Sequence, residues 1–227
     1  MNPLLDNPFW NALAGAQARH ACGTDGARRF ARGFSPILAF ADAEQPSFAG
    51  LDAFCSAGER FHCDAWPGAA PAGWRIEHEA PISQMVWHAS LPPLAANESA
   101  AVQLGAGSAD LMLELADATR PGPFGPRTPE LGEYWGIFDG ERLVAMAGER
   151  LHLPGFREIS GVCTRAGYTG RGYARQLVAL LVARQLARGE TPFLHVARDN
   201  RRARDLYTHL GFAQRRETAV RVLVNIN

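Results

Sequence analysis

Residues 157–189 read REISGVCTRAGYTGRGYARQLVALLVARQLARG, and their order decides the architecture. Residues 157–164 carry the β-branched and small side chains of a strand. TGRGYA, residues 169–174, then forms a glycine turn, and from Ala174 the apolar positions Leu177, Val178, Leu181, Val182 and Leu186 recur as one helical stripe until Gly189 ends it. Residues 192–197 read as a buried strand. A strand, helix, strand succession of this length places its two strands parallel.

Working outward, Asp199 or Asn200 caps a second helix with Ala203, Leu206, Tyr207 and Leu210 on one face; Gly211 stops it, and residues 219–226 form a closing strand. Upstream, residues 134–138 and 142–150 are strands joined at Asp139 and Gly140, the pair preferred in a type I′ turn with two positive-φ centres. Pro154 and Gly155 make the next reversal, so 157–164 completes an antiparallel meander. Residues 100–104 suit a short strand, and Ser108 caps a helix through Thr119 with Leu111, Met112, Leu115 and Ala116 on its apolar face. Residues 120–132 hold Pro121, Pro123, Pro126 and Pro129 and belong to a stiff loop. The expected class is α/β, more strictly an α+β mixed sheet, with one parallel pair among antiparallel strands and helices on both faces.

The 227 residues contain 23 basic side chains, every one an arginine, against 23 acidic ones. Without lysine, Schiff-base and pyridoxal-phosphate enzymes, Walker-type nucleotide loops and kinases of the usual plan are excluded. Hydrophobic content of 47% with 20% charged residues is globular. The longest apolar run without charge, 177–183, falls far short of the roughly 20 residues of a membrane span, and Pro3, Asp6 and Pro8 interrupt any signal peptide. A cytoplasmic protein without membrane contact is expected. Cys22, Cys55, Cys63 and Cys163 have neither disulfide-framework nor CxxC spacing, so reduced thiols are expected and no metal site.

Residues 1–100 hold 6 arginines and 10 carboxylates, and residues 101–227 hold 17 and 13, giving net −4 and +4. The excess clusters between Arg157 and Asp205, a field that suits a phosphate-bearing ligand. Nucleic acid is the weaker choice, because no aromatic residues interleave with these arginines. Gly170 and Gly172 flank Arg171 at a helix start, where free backbone N–H groups and the helix dipole favour an anion. The dinucleotide fingerprint GxGxxG is absent, since Arg175 stands at its last position.

The run from Glu158 to Thr164, the turn TGRGYA, and Asn200 followed by Leu206, Tyr207, Gly211 and Phe212 together resemble the GCN5-related N-acetyltransferase (GNAT) superfamily, and within it the FR47-like branch. The resemblance spans about residues 100–227. One position departs from it: Thr169 stands where the family commonly has Arg or Gln, while Gly172 and Ala174 fit, and Arg171 or Arg175 is the candidate substitute charge.

The resemblance implies acetyl-CoA as co-substrate. Its pyrophosphate is expected on the N–H groups of Gly170, Arg171, Gly172, Tyr173 and Ala174, with the pantetheine arm along Val162, Cys163 and Thr164 and further contact at Asn200 and Tyr207. Tyr207 matches the family's general acid. For the base, Glu158 is the first choice, with its pKa raised by an apolar cleft, and His195 and Glu149 follow. A covalent role for Cys163 is disfavoured, because cysteine packs readily as a small apolar group. The implied activity is acetyl transfer to a primary amine of a small molecule. Its rivals are a non-catalytic acyl-CoA-binding or sensing module and aminoacyl transfer from tRNA.

Residues 1–99 carry no catalytic motif. They read as a smaller N-terminal domain, weakly similar to a degenerate acyltransferase half, covering the acceptor side of a 100–227 acetyltransferase domain. Within them Ser47 is expected to cap a helix bearing Leu51 and Phe54, strands fall near 60–66 and 74–79, and residues 91–97 form a linker. The sequence leaves the oligomeric state, a homodimer included, undecided.

Overall fold

The computed structural model describes residues 2–89 and 101–227, so the linker expected at 91–97 lies outside the described residues. The first half forms helix α1 (Pro8–Ala14), the short strands β1 (Ala21–Gly23), β2 (Ala27–Phe30) and β3 (Leu38–Phe40), then β4 (Arg60–Asp64) and β5 (Trp74–Trp87). The second half forms β6 (Val102–Leu104), α2 (Ala109–Thr119), β7 (Tyr134–Asp139), β8 (Arg142–Leu153), β9 (Phe156–Thr164), α3 (Tyr173–Ala187), β10 (Thr191–Ala197), α4 (Arg201–His209) and β11 (Phe212–Asn225).

Strands β1, β2 and β3 make a three-stranded sheet, and the other eight make a mixed sheet in the order β4-β11-β5-β10-β9-β8-β7-β6. The expected parallel pair is β9 with β10, joined through α3. Strand β5, from the first half of the chain, lies between β10 and β11 of the second half, antiparallel to both. The sheet therefore does not follow a division of the chain at residue 100.

One face of the sheet is covered by α3 and α4, where Leu177, Val178, Leu181 and Val182 pack on Val144, Ile159, Leu194 and Val196 with Tyr207 and Phe212. The opposite face is covered in two places. Helix α2 lays Met112, Leu115 and Ala116 on Tyr134, Met146 and Cys163, while α1 sets Phe9, Ala12 and Leu13 against Leu151, Leu153 and Phe193. The apolar stripe of α1 forms because Asn7 caps it, accepting from the Trp10 N–H at 3.3 Å, and Pro8 occupies the first turn.

Three local expectations are corrected. The β7–β8 turn centres on Gly140 and Glu141, with Asp139 paired to Arg142, and only Gly140 has positive φ (59°), so a single left-handed residue suffices. Ser47 caps nothing: Leu51–Phe54 is a short 3-10 helix preceded by left-handed Gly50. Strand β11 begins at Phe212 rather than near 219, because its polar start, Gln214 to Glu217, pairs with β5 alone, and β4 joins only from Val220. Half-solvated strand edges accept polar residues.

Candidate active site

Strands β9 and β10 pair at Phe156–Thr191, Arg157–Pro192 and Glu158–Phe193, and nowhere beyond. Both depart from that point for a physical reason. Strand β10 continues along β5, pairing Phe193–Ala197 with Val86–Ile82. Strand β9 follows β8 but carries register shifts at Met146/Gly148 and Glu149/His152, and Gly161 takes a left-handed φ of 64°. A bulge with glycine in that conformation bends the strand and takes an N–H off the ladder. The β9 edge facing the gap from Ile159 to Thr164 thus keeps its backbone groups for an extended ligand.

Because β9 and β10 are parallel, the helices that follow them start at the same end of the gap. Helix α3 opens at Gly172, and Gly170 and Gly172 both have φ of 84°. A β-carbon on either glycine would meet nothing within 4 Å, so the turn is open on its outer side. No carboxylate occupies the first turn of α3, which leaves its N–H groups and dipole to an incoming anion. Arg171 lies over the Tyr168 ring at 4.7 Å and donates to the Gly167 carbonyl at 3.3 Å, holding the turn. Tyr173 and Ala174 are half-buried. Helix α4 opens at Asn200, whose side-chain oxygen accepts from the Ala203 N–H at 3.1 Å, so its amide NH2 is not used by the cap.

The arginine field is more neutral than its count suggests. Arg157 pairs with Glu190, Arg165 with Glu114, and Arg184 and Arg188 with Glu133. The pairs of Arg157, Arg184 and Arg188 tie the C-terminal end of α3 to the sheet and that of Arg165 ties the end of β9 to α2, whereas Arg171 and Arg175 lie in and just after the glycine turn, both exposed.

Val162, half-buried, packs toward α3, and Cys163 is buried on the α2 side, as successive strand residues must be. Burial pushes the Cys163 thiol up to about 11, so it is a protonated thiol rather than a nucleophile. Thr164 is half-buried at the end of the strand. Tyr207 projects from α4 into the core beside Phe212, ring centroids 6.0 Å apart, and burial with the nearby Cys163 pushes its phenol up to about 12. It is protonated at neutral pH.

Glu158 departs from the expectation of a raised pKa. It is fully buried at the base of the gap, where burial pushes its carboxyl up, but the Arg150 guanidinium and His195 ring more than offset this and hold it at about 2. Arg150 grips it with two donors at 2.8 and 2.7 Å, and His195 Nδ1 lies 2.8 Å from Oε1. The other ring nitrogen of His195 lies 3.3 Å from Gln84 Nε2 on β5. Glu149, the other carboxylate considered, is buried elsewhere, receiving Gln185 Nε2 at 3.0 Å and Arg188.

Gly170, Gly172 and Asn200 thus stand at the starts of α3 and α4, Val162 and Thr164 lie on β9 beyond its last pairing with β10, Tyr207 projects from α4 into the core, and Glu158, bonded to His195, stands at that last pairing. Sequence reasoning missed Arg150, Gln84 and Tyr134. Arg150 had a readable signal, since it and Glu158 stand nearly opposite across the Pro154–Gly155 reversal with unlike charges. Gln84 had none, because it arrives from the other half of the chain. Among the described residues no group of three or more His, Cys, Asp or Glu is placed to hold a metal, and no helix is long and apolar enough to cross a membrane.

Residues 134–222 match the FR47-like protein family. None of the curated proteins compared matches the chain. Among solved structures, a GNAT-family protein from Novosphingobium aromaticivorans shares 35% identity over 99% of both chains with a TM-score of 0.88. A GCN5-related N-acetyltransferase from Kribbella flavida shares the fold at 17% identity, covering 95% of each chain with a TM-score of 0.57. A GCN5-related N-acetyltransferase-like protein from Streptococcus suis does so at 16% identity, covering 95% of this chain and 91% of its own, also with a TM-score of 0.57. With an FR47-like segment spanning the meander, the glycine turn and the parting strands, and a relative similar from end to end, the chain belongs to the GNAT family and has its N-acetyltransferase fold.

Proposed function

We propose that the protein transfers an acetyl group from acetyl-CoA to a primary amine of a small molecule by direct attack of the amine on the thioester. The observation that carries this reading is the parting of β9 and β10 beside a glycine turn that opens a helix of 15 residues. In this reading the N–H groups of residues 170–174 receive the pyrophosphate, and the pantetheine arm runs along Val162, Cys163 and Thr164 as an added strand. The Asn200 amide donates to the same arm. The residues fit an anion with an extended tail: the turn is open, uncharged by carboxylates and continuous with an unpaired strand edge.

Tyr207 acts as general acid, giving its proton to the departing thiolate, a role its protonated state supports. A backbone N–H at the Gly161 bulge steadies the developing oxyanion. The base is the Glu158–His195 pair rather than Glu158 alone: the charged carboxylate holds Nδ1, the amine displaces the Gln84 amide from Nε2 and gives up its proton there, and the carboxylate stabilises the imidazolium. The first half of the chain covers the acceptor side and shapes the choice of amine, which the packing of α1 and Phe9 against His195 supports.

The test is release of free thiol from acetyl-CoA across a panel of amines. Tyr207→Phe is expected to lower kcat by ~100-fold or more with acetyl-CoA affinity unchanged. Tight CoA binding without turnover for any amine would instead favour the non-catalytic acyl-CoA-binding module.

A further inference from the structure

Tyr134 begins β7, yet its side chain reaches across β8 to β9, the strand that borders the gap. It faces Gly148 across the β7–β8 ladder, and Gly148 faces Ser160 across the β8–β9 ladder. A β-carbon on Gly148 would overlap the Tyr134 ring, so the phenol lies flat over that glycine. At the bulged Gly161 a β-carbon would stand 3.2 Å from the ring's Cε1 and 3.4 Å from its hydroxyl oxygen. Two glycines on neighbouring strands thus form a track that lets a tyrosine span β8 and set its hydroxyl against β9 at the bulge. Phe124 closes on the ring edge-on at 5.8 Å, and α2 packs over it.

The residue is 1% exposed, and its hydroxyl has no hydrogen-bond partner among the described residues. An unpaired buried hydroxyl is a standing cost to the fold, and phenylalanine would fill the same track without it. Packing therefore does not account for the oxygen. The charges nearest in character, Arg150 and Glu158, are spent on each other through two hydrogen bonds, which leaves this spot suited to a neutral polar atom rather than to an ammonium. Burial pushes the phenol up, so it stays a donor across the neutral range.

We propose that the Tyr134 hydroxyl donates to the carbonyl oxygen of the thioester's acyl group, beside the backbone N–H freed at the Gly161 bulge. The inference rests on the acetyl-CoA reading above. It makes Tyr134 the group that distinguishes an acylated from a free CoA, since only the former carries that carbonyl.

Calorimetric titration of wild type and Tyr134→Phe with acetyl-CoA and with free CoA tests this, together with thermal unfolding of both without ligand. Wild type is expected to prefer acetyl-CoA. Tyr134→Phe is expected to lose about 3- to 10-fold of that preference, to bind free CoA as wild type does, and to unfold at the same or a higher temperature. An unchanged preference in the variant, equal affinity of wild type for both ligands, or a lowered unfolding temperature showing that the hydroxyl already has a partner would each overturn the proposal. A wild type that binds neither ligand would overturn the acetyl-CoA reading itself, a different result from any of these.

Discussion

Strands β5 and β11 stay paired from Trp74–Asn225 to Trp87–Phe212, while β9 and β10 in the same sheet meet at three positions and part. Both seams sit between apolar layers, so hydrophobic burial alone does not separate them. The difference is in what else each strand is bound to. Along β5 and β11 the ladder resumes after each of its two register shifts, with β4 on the far side of β11 and β10 on the far side of β5. Strand β10 is held by β5, and β9 by β8 through two register shifts and a left-handed glycine, so the two are drawn to different neighbours. The ladder opens where neighbouring strands are each held more firmly on their far side.

The largest test breaks the continuous seam. A fragment of residues 100–227 lacks β5, which stands between β10 and β11. It is expected to show no cooperative unfolding transition by circular dichroism, since β10 would lose the neighbour that draws it away from β9. A fragment that folds and binds CoA would show that the parting is built into the second half alone.

The next test removes the pin. Glu158→Ala leaves Arg150 buried without its carboxylate and is expected to cost ~3–5 kcal/mol in urea denaturation. A loss below about 1 kcal/mol would mean that the base of the gap is held by packing rather than by charge.

Acid sharpens the comparison from the other side. On β4, burial first and then the Arg150 guanidinium hold His62 down at about 4, against an ordinary 6.5. The unfolded chain takes up that proton first, so the stability present above pH 6.5 is lost as pH falls through about 4, by on the order of 3 kcal/mol. Asp64, raised to about 6 mainly by burial, works in the opposite direction, its contribution being lost as pH rises through that value. Wild type alone would therefore show a muted response, and the informative quantity is the difference from His62→Asn. That difference is expected to move in the variant's favour between pH 7 and 4; a constant gap would show that His62 takes no part.

The smallest expected effect is at the glycine turn. Gly172→Ala forces a side chain into a φ of 84° and is expected to cost ~1 kcal/mol of stability, with weaker binding of acetyl-CoA in titration. Unaltered affinity would argue against backbone N–H groups at this turn as the anion's seat.

Much of this is legible in the sequence. The glycine turn, the two helices after it and the single parallel pair follow from spacing, because a helical stripe and a strand run state their periods locally. Asn200 reads as a cap and is one. Glu158 was legible as a carboxylate on the right strand, but not its state: the expected rise in pKa assumed an apolar cleft, and Arg150 and His195 arrive from neighbouring strands to reverse it. The three-stranded sheet and α1 escaped the reading, since strands of 3 and 4 residues and a helix of 7 are too short to show a period.

By itself, then, the sequence determined the order of elements in the second half of the chain and the glycine turn at the head of α3, and the absence of lysine limited its positive side chains to arginine; these depend on neighbours along the chain. Tertiary structure alone decided that β5 crosses from the first half into the second half's sheet, that Glu158 is ionised and gripped, and that Tyr134 reaches over two glycines to the bulge. Those features depend on register between strands far apart in sequence, and a strand's alternation fixes which face a side chain takes but not which strand will lie beside it.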